Sequence, residues 1–384
     1  MALTKDLGFG PDEQLVRDQA RKLLKDSVPV DKLRTLVARD HHEAYETRIQ
    51  PASWDEGLWK QMVELGWTAL SVPESAGGLG MKTIVSVALA EELGRVAVPS
   101  PLPATLAATA VLKAAGANAW LEKIAGGEAA TLAITPESGS WEPGDTDVEA
   151  RASGPGVTLN GKAAFVQDAR KARLLVVSAK SAGGVALYVV PVDAPGVTVT
   201  PDRIVDLTRD QATVTFSNVE VSASNVAAGE GKGKAAIEKA LPAILTLLAA
   251  DACGAAEWQL QTTAEYAKSR VQFEHPIGFF QAVKHPLVNV MLGIDRARSL
   301  TYAAACAVDE DPADALRLAR MAKAAASDAA EFASDRSVQL HGGIGFTWEC
   351  DVHLWFKRQK HTEQLFGNAT QQRAHLARIL EAAA

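Results

Sequence analysis

Between about Gly10 and Ala125, apolar residues recur three and four positions apart. LVRDQARKLLKD (15–26), LWKQMVELGW (58–67) and VSVALAEELGRV (85–96) each carry the spacing that lays one apolar stripe along an α-helix. Turn chemistry separates them, in SVPESAGGLG (71–80) and at Pro99, Pro101 and Pro103. From about Thr131 to Val226 the period shortens. TLAIT, VTLNGKAAFV, RLLVVSA, GVALYVVPV, GVTVTP and ATVTFSNVEV are short β-rich runs punctuated by Gly, Pro, Asp and Asn, the pattern of an antiparallel barrel or sandwich. From about Lys232 long helical patterns return, over 235–270, 283–308 and 313–343, with Gly229, Gly231 and Gly233 at the junction. The expectation is an α+β chain with an N-terminal helical domain (1–127), a central antiparallel β-barrel or sandwich domain (128–230) and a C-terminal four-helix-bundle domain (231–384).

Composition narrows the chemistry. The chain has 384 residues, enough for two or three domains, and 47% of them are hydrophobic, which excludes wholesale disorder. Lys and Arg number 39 against 46 Asp and Glu, a net charge of −7; no nucleic acid is expected as a partner, since a sequence-independent binder would be basic. The longest apolar stretch, Leu241 to Ala256, is interrupted by Asp251, so no membrane span is expected. The start, MALTKDLGFGPDEQ, lacks the apolar core of a signal peptide and reads as a mature N-terminus. Cys253, Cys306 and Cys350 are few and far apart; they fit a reducing cytosol and form neither a disulfide framework nor a metal site. His275, His285, His341, His353 and His361 lack partners at ligand spacing, so no metal is expected.

Three segments carry a resemblance. YAKSRVQFEHPIGFFQAVKHPLV (266–288) is similar to the Arg-x-x-Phe-Gly-x-x-Ile-x-x-x-Gln signature of the acyl-CoA dehydrogenase flavoproteins, with Glu274 in place of the glycine. QLHGGIGFTWECDVHLWFKR (339–358) is close to that family's Gln-x-x-Gly-Gly-x-Gly segment, and WKQMVELGWTALSVPESAGGLG followed by EELGR resembles its N-terminal region. The resemblance implies the helical–β–helical architecture, an FAD cofactor and an acyl-CoA substrate. It also implies an oligomer in which these segments reach a neighbouring subunit's FAD.

Residue chemistry agrees with that implication. Arg270 offers a planar, permanently charged fork for phosphate oxygens. Gly342 and Gly343 lack a Cβ, so their amides can approach a phosphate or adenine. Gln281 and Gln339 offer amide donors and acceptors, and Phe273 and Phe280 offer apolar faces. Each has an ordinary reading as well: a capping arginine, a turn, core aromatics. It is the combination in family order that favours the cofactor.

The β region carries the other half of a family flavin site. TPESGSWEPG (135–144) matches Thr-Glu-Pro-Gly-x-Gly-Ser at Thr135, Gly139 and Ser140 when one deletion is allowed. Phe165 fits the next family element, and Gln167 stands where a hydroxyl donates toward flavin N5. The neighbouring Asp168 carboxylate would disfavour negative charge there. KAAFVQDAR also reads simply as a strand and turn. Gln371, in LFGNATQQR, is assigned to the cofactor on the same resemblance.

Family chemistry removes an α-proton beside a thioester, which calls for an aimed carboxylate with a raised pKa. Most members place a glutamate before a C-terminal Gly-Thr. Counting from Arg358 reaches Gly367 there, and the next acidic residue is Glu381. The minority position, twenty-six residues before the motif arginine, is Ile244. Asp251, seven positions on and about 10 Å along the helix axis, reads either as a displaced base or as a carboxylate satisfied by a partner helix; Glu363 is a second candidate.

Three functions therefore compete. The first is an FAD-dependent acyl-CoA dehydrogenase that makes a trans-2-enoyl thioester and passes electrons to an electron-transfer flavoprotein. The second is a base-less subunit paired with a catalytic homologue, as in some bacterial relatives that process bulky, steroid-like acyl-CoAs and that the KHTEQLFGNATQQR ending resembles. The third is a flavin oxidase or monooxygenase on the same scaffold. A cytoplasmic homo- or hetero-oligomer, dimer or tetramer, fits the first two.

Overall fold

The structure is a computed structural model that describes residues 10–47 and 54–383; the segment read as a mature start falls largely outside them. Helices α1 (Pro11–Ser27), α2 (Val30–Val37), α3 (Glu56–Glu64), α4 (Thr83–Val96), α5 (Leu102–Ala115) and α6 (Asn118–Ala125) come first. Asp55 caps α3 by accepting the Leu58 amide at 2.9 Å. Pro103 lies in the first turn of α5, where its missing amide costs no hydrogen bond, so this proline cluster opens a helix as well as closing a turn.

Eight strands follow: β1 (Ala130–Ala133), β2 (Asp147–Ser153), β3 (Gly156–Gln167), β4 (Leu174–Ser181), β5 (Gly184–Pro191), β6 (Val197–Pro201), β7 (Gln211–Val221) and β8 (Val226–Ala228). They form one sheet in the order β6-β7-β3-β2-β4-β5-β8, with β1 beside β4. Most pairings are antiparallel, as expected, but β1–β4 and β2–β4 are parallel, so the sheet is mixed. Strand β2 was not evident in the sequence because only Val148 and Ala150 point inward while its other positions are exposed; two small inward residues give a weak alternation.

The chain ends in α7 (Gly233–Ser269), the short hairpin β9 (Val271–Gln272) and β10 (His275–Pro276), α8 (Gln281–Glu310), α9 (Pro312–His341), α10 (Val352–Gln364) and α11 (Ala369–Ala383). Helix α7 packs against α4, α5, α8, α9 and α10 and contributes to every hydrophobic core except the one inside the β region. Among the described residues it is the one helix long and apolar enough to cross a membrane, yet most of that apolar window is buried in the protein. Its close contact with α4 depends on glycine. A Cβ on Gly254 would overlap the Glu91 carbonyl, and one on Gly94 would overlap the Asp251 carbonyl.

Candidate functional site

The expected site residues fall on two separate faces. The first is the end of the C-terminal bundle where α7 and α9 stop. The Tyr266 ring stacks on His341 at 4.3 Å between centroids, bringing Arg270 and Gly342, which follow these two residues, to the same end of the bundle. Arg270 is exposed and caps α7 through its own amide, donated to Tyr266 at 2.8 Å. Its guanidinium has no partner among the described residues. Gly342 has φ +67 and ψ −146, a conformation only glycine adopts freely, and a Cβ on Gly342 or Gly343 would meet only open space. Gln281 and Gln339 are exposed beside them.

The turn between α7 and α8 shows why the family favours glycine at 274: Phe273 and Glu274 both have positive φ, +52 and +64. Phe273 is 84% exposed and meets Phe280 edge-on at 6.1 Å. Phe346, at the end of the turn that follows α9, is 70% exposed. A cationic fork, approachable amides and uncovered aromatics together fit the diphosphate and rings of a dinucleotide on this face.

The second face is a pair of clefts between the β region and the helices. A narrow apolar cleft lies against α5 and α7, with Thr131, Trp141, Phe165, Gln167, Leu365 and Phe366 in its wall. A wider, more polar cleft shares Trp141, Phe165 and Leu365 with it and adds Lys357, Lys360, His361 and Gln371. Strain concentrates here: Phe165, Asp168 and Phe366 all have positive φ.

The side-chain donors of Gln167 and Ser140 on this face are already committed. Gln167 donates to the Phe165 carbonyl at 3.0 Å and to Gln211 Oε1 at 2.9 Å, and its oxygen lies 3.0 Å from His361 Nε2. Ser140 donates to Asp145 at 2.6 Å. Thr135 is buried in a bridge to Ala164. Gln371 Oε1 accepts the Asn368 amide at 2.9 Å in a helix cap. These four lie near the clefts; Gln167, Ser140 and the Gln371 oxygen are bonded within the protein itself, so the fit of Gln167 and Ser140 to a flavin is weaker than that of the first face.

The carboxylates of the apolar cleft are ion-paired. Asp251 is 4% exposed. Arg358 grips it with Nε at 3.2 Å and Nη2 at 2.5 Å, Arg209 Nη2 reaches it at 3.0 Å, and Thr362 Oγ1 at 3.4 Å. Burial alone would raise its carboxyl, but the two guanidiniums outweigh burial and hold it below the usual range. A base for a weakly acidic carbon needs the opposite shift, so the arrangement argues against the displaced-base reading. Asp168, 3% exposed, pairs with Lys171 Nζ at 2.7 Å; burial pushes its carboxyl up in spite of that partner. Glu363 pairs with Lys360 at 3.4 Å and lines neither cleft.

Gly367 lines neither cleft; the residue before it, Phe366, does, and its ring stacks on Trp141 at 4.7 Å. The turn is anchored from within by Lys323, fully buried, which donates to the carbonyls of Thr362, Glu363 and Gly367 at 3.1, 3.0 and 3.4 Å. Sequence reading did not single out Lys323 or Arg209, because neither belongs to a motif; a lysine on the alanine face of α9 was the available signal. Among the described residues no cluster of three or more His, Cys, Asp or Glu is placed to hold a metal ion.

Comparison with known proteins agrees with this arrangement. Residues 10–128 match the family model described as acyl-CoA dehydrogenase, N-terminal domain, and residues 231–381 the one described as acyl-CoA dehydrogenase, C-terminal domain. The chain is similar to the acyl-CoA dehydrogenase IpdE2 of Mycobacterium tuberculosis, at 34% identity over 354 residues, 90% of this chain and 93% of that one. Among solved structures it is similar to one described as the ChsE4-ChsE5 complex from Mycobacterium tuberculosis, at 26% identity and a TM-score of 0.84, covering 98% of this chain and 99% of that one. A Tcur3481-Tcur3483 steroid ACAD variant matches at 28% identity and a TM-score of 0.84, with the same coverage.

Proposed function

The chain belongs to the acyl-CoA dehydrogenase family, and from that premise we propose that it is one subunit of an FAD-dependent oxidoreductase acting on the CH–CH bond of an acyl-CoA thioester, its active partner being a homologous subunit that carries the base. When bound, FAD supplies the acceptor for the hydride leaving the β-carbon. Arg270 would hold the diphosphate through its planar fork, with the amides of Gly342 and Gly343 against the same group. Gln281 and Gln339 would fix its orientation. The apolar cleft would bury the acyl chain and exclude water from it.

Removing the α-proton needs a nearby basic oxygen. The observation that carries the two-subunit reading is Phe366: an aromatic ring, stacked on Trp141, stands immediately before Gly367 where most members have their glutamate. The cleft's two carboxylates are already bound to cations. The named pairing in the ChsE4-ChsE5 complex supports the reading, and the steroid designation of a second relative supports a bulky, steroid-type acyl group. An electron-transfer flavoprotein as electron acceptor and a cytoplasmic setting fit it.

A second reading is favoured by Asp168, the buried carboxylate of the apolar cleft that burial holds above its usual range in spite of its Lys171 partner. In that reading Asp168 takes the proton once Lys171 moves aside, and the chain works alone.

The test is co-expression with a carboxylate-bearing homologous subunit. Arg270→Gln in this chain should weaken FAD retention by the pair about 10- to 100-fold, the value of charge-assisted hydrogen bonds worth about 1.5–3 kcal/mol. The melting temperature of the FAD-free chain should not change, since the Arg270 guanidinium has no partner among the described residues and its backbone hydrogen bonds are kept in the variant. Unaltered flavin content would refute the assignment.

A further inference from the structure

A third cavity lies outside the clefts already described. It is a crevice bounded by the start of α4, by α5, by the first half of α7 and by the α8–α9 junction. Leu106 and Leu247 belong both to its wall and to that of the apolar cleft, so these two side chains are the partition between the two spaces. At its inner wall, Ser86 is 3% exposed and its Oγ has no hydrogen-bond partner among the described residues. The neighbouring polar groups are satisfied: Thr83 gives its amide and its hydroxyl to Asp309 at 2.6 and 2.9 Å, and Glu238 pairs with Lys234 at 3.7 Å. Lys113 and Lys239, exposed on the rim, have no ion-pair partner among the described residues.

A buried hydroxyl with no partner costs free energy unless something else bonds to it. A wall of Leu, Ala and Pro side chains around one such hydroxyl is the make-up of a site for a mostly apolar ligand with one oxygen function.

We propose that this crevice receives the far end of the acyl group, and that Ser86 hydrogen-bonds an oxygen carried there. The chain thereby selects acyl thioesters that are oxygenated at the end distant from the thioester over plain hydrocarbon ones. Carbonyl, hydroxyl and carboxylate oxygens all satisfy Ser86, and the Lys113 and Lys239 ammoniums favour acceptors with negative character. This rests on the reading that the apolar cleft binds an acyl thioester, and needs no catalytic base in this chain.

The test is calorimetric binding of butyryl-CoA, decanoyl-CoA and ω-hydroxydecanoyl-CoA to the full chain, alone and in its mixed oligomer. The expected result is about fivefold to tenfold tighter binding of the ω-hydroxylated thioester than of decanoyl-CoA, the worth of one neutral hydrogen bond. Ser86→Ala should abolish that preference and leave decanoyl-CoA affinity unchanged. The variant should be at least as heat-stable as the parent when ligand-free, because alanine suits a helix and removes an unbonded polar atom. Equal affinities in the parent, or a preference that survives Ser86→Ala, would overturn the inference while butyryl-CoA binding left the cleft reading standing. Failure of all three thioesters to bind would remove both.

Discussion

At the scale of single residues, Asp251 shows what a sequence conceals. In LTLLAADACGAA an isolated carboxylate invites a catalytic reading, since burying a charge without reason is costly. The reason lies 42 and 107 positions away, in Arg209 and Arg358, and pairings at that separation leave no local trace. Asp251→Asn should therefore act on stability. It leaves two buried guanidiniums without their counter-charge and should cost about 3–5 kcal/mol in chemical denaturation, whereas a base exposed in a pocket would tolerate the change.

The buried histidines add a pH dependence. Burial is the first cause that lowers His353 and His361, each to about 4. A histidine whose folded pKa lies below its unfolded value of about 6.5 contributes stability above that value and loses it as pH falls toward the folded pKa. Denaturation midpoints should drop between about pH 6.5 and about pH 4, and less steeply in a His353→Gln, His361→Gln double variant. A flat profile over that window would contradict the burial of both rings as neutral groups.

At the scale of elements, the periodicities located most of the long helices and six of the strands, because those elements bury one continuous face. Strand β2 and the parallel pairings of β1 and β2 with β4 were not legible: pairing direction depends on which strands become neighbours, not on the pattern within any one of them. The α4–α7 crossing was also silent in sequence, as an isolated glycine inside a helical run looks like a simple weakness. In the structure, Gly254 is where the two backbones meet. Gly254→Ala should destabilise the protein by about 2–3 kcal/mol or more, as overpacking does, in contrast to the stabilisation expected of Gly→Ala on an exposed helix face. Thermal melts of the variant beside an exposed-site control check this. The same crossing sets the position of Asp251 on α7, so the glycine fixes the ion-pair network as well as the packing.

At the scale of the molecule, the division of labour between faces is the main result. The motif residues were legible in sequence because Arg270, Gln281 and the 339–343 segment face outward and are held to a fixed spacing by two helix ends. Half of the site was not legible, because Gln167, Ser140 and Gln371 match family positions while their hydrogen bonds turn inward, and because the side chain that reaches the cleft is Phe366 rather than position 367. An outward-facing half-site and an apolar cleft whose carboxylates are ion-paired fit the proposed role of completing a flavin site that another subunit uses. The most direct measurement is an anaerobic titration of the FAD-loaded chain, alone, with an acyl-CoA thioester. The account predicts that the absorbance of oxidised flavin persists until the carboxylate-bearing subunit is added; bleaching by this chain on its own would contradict it.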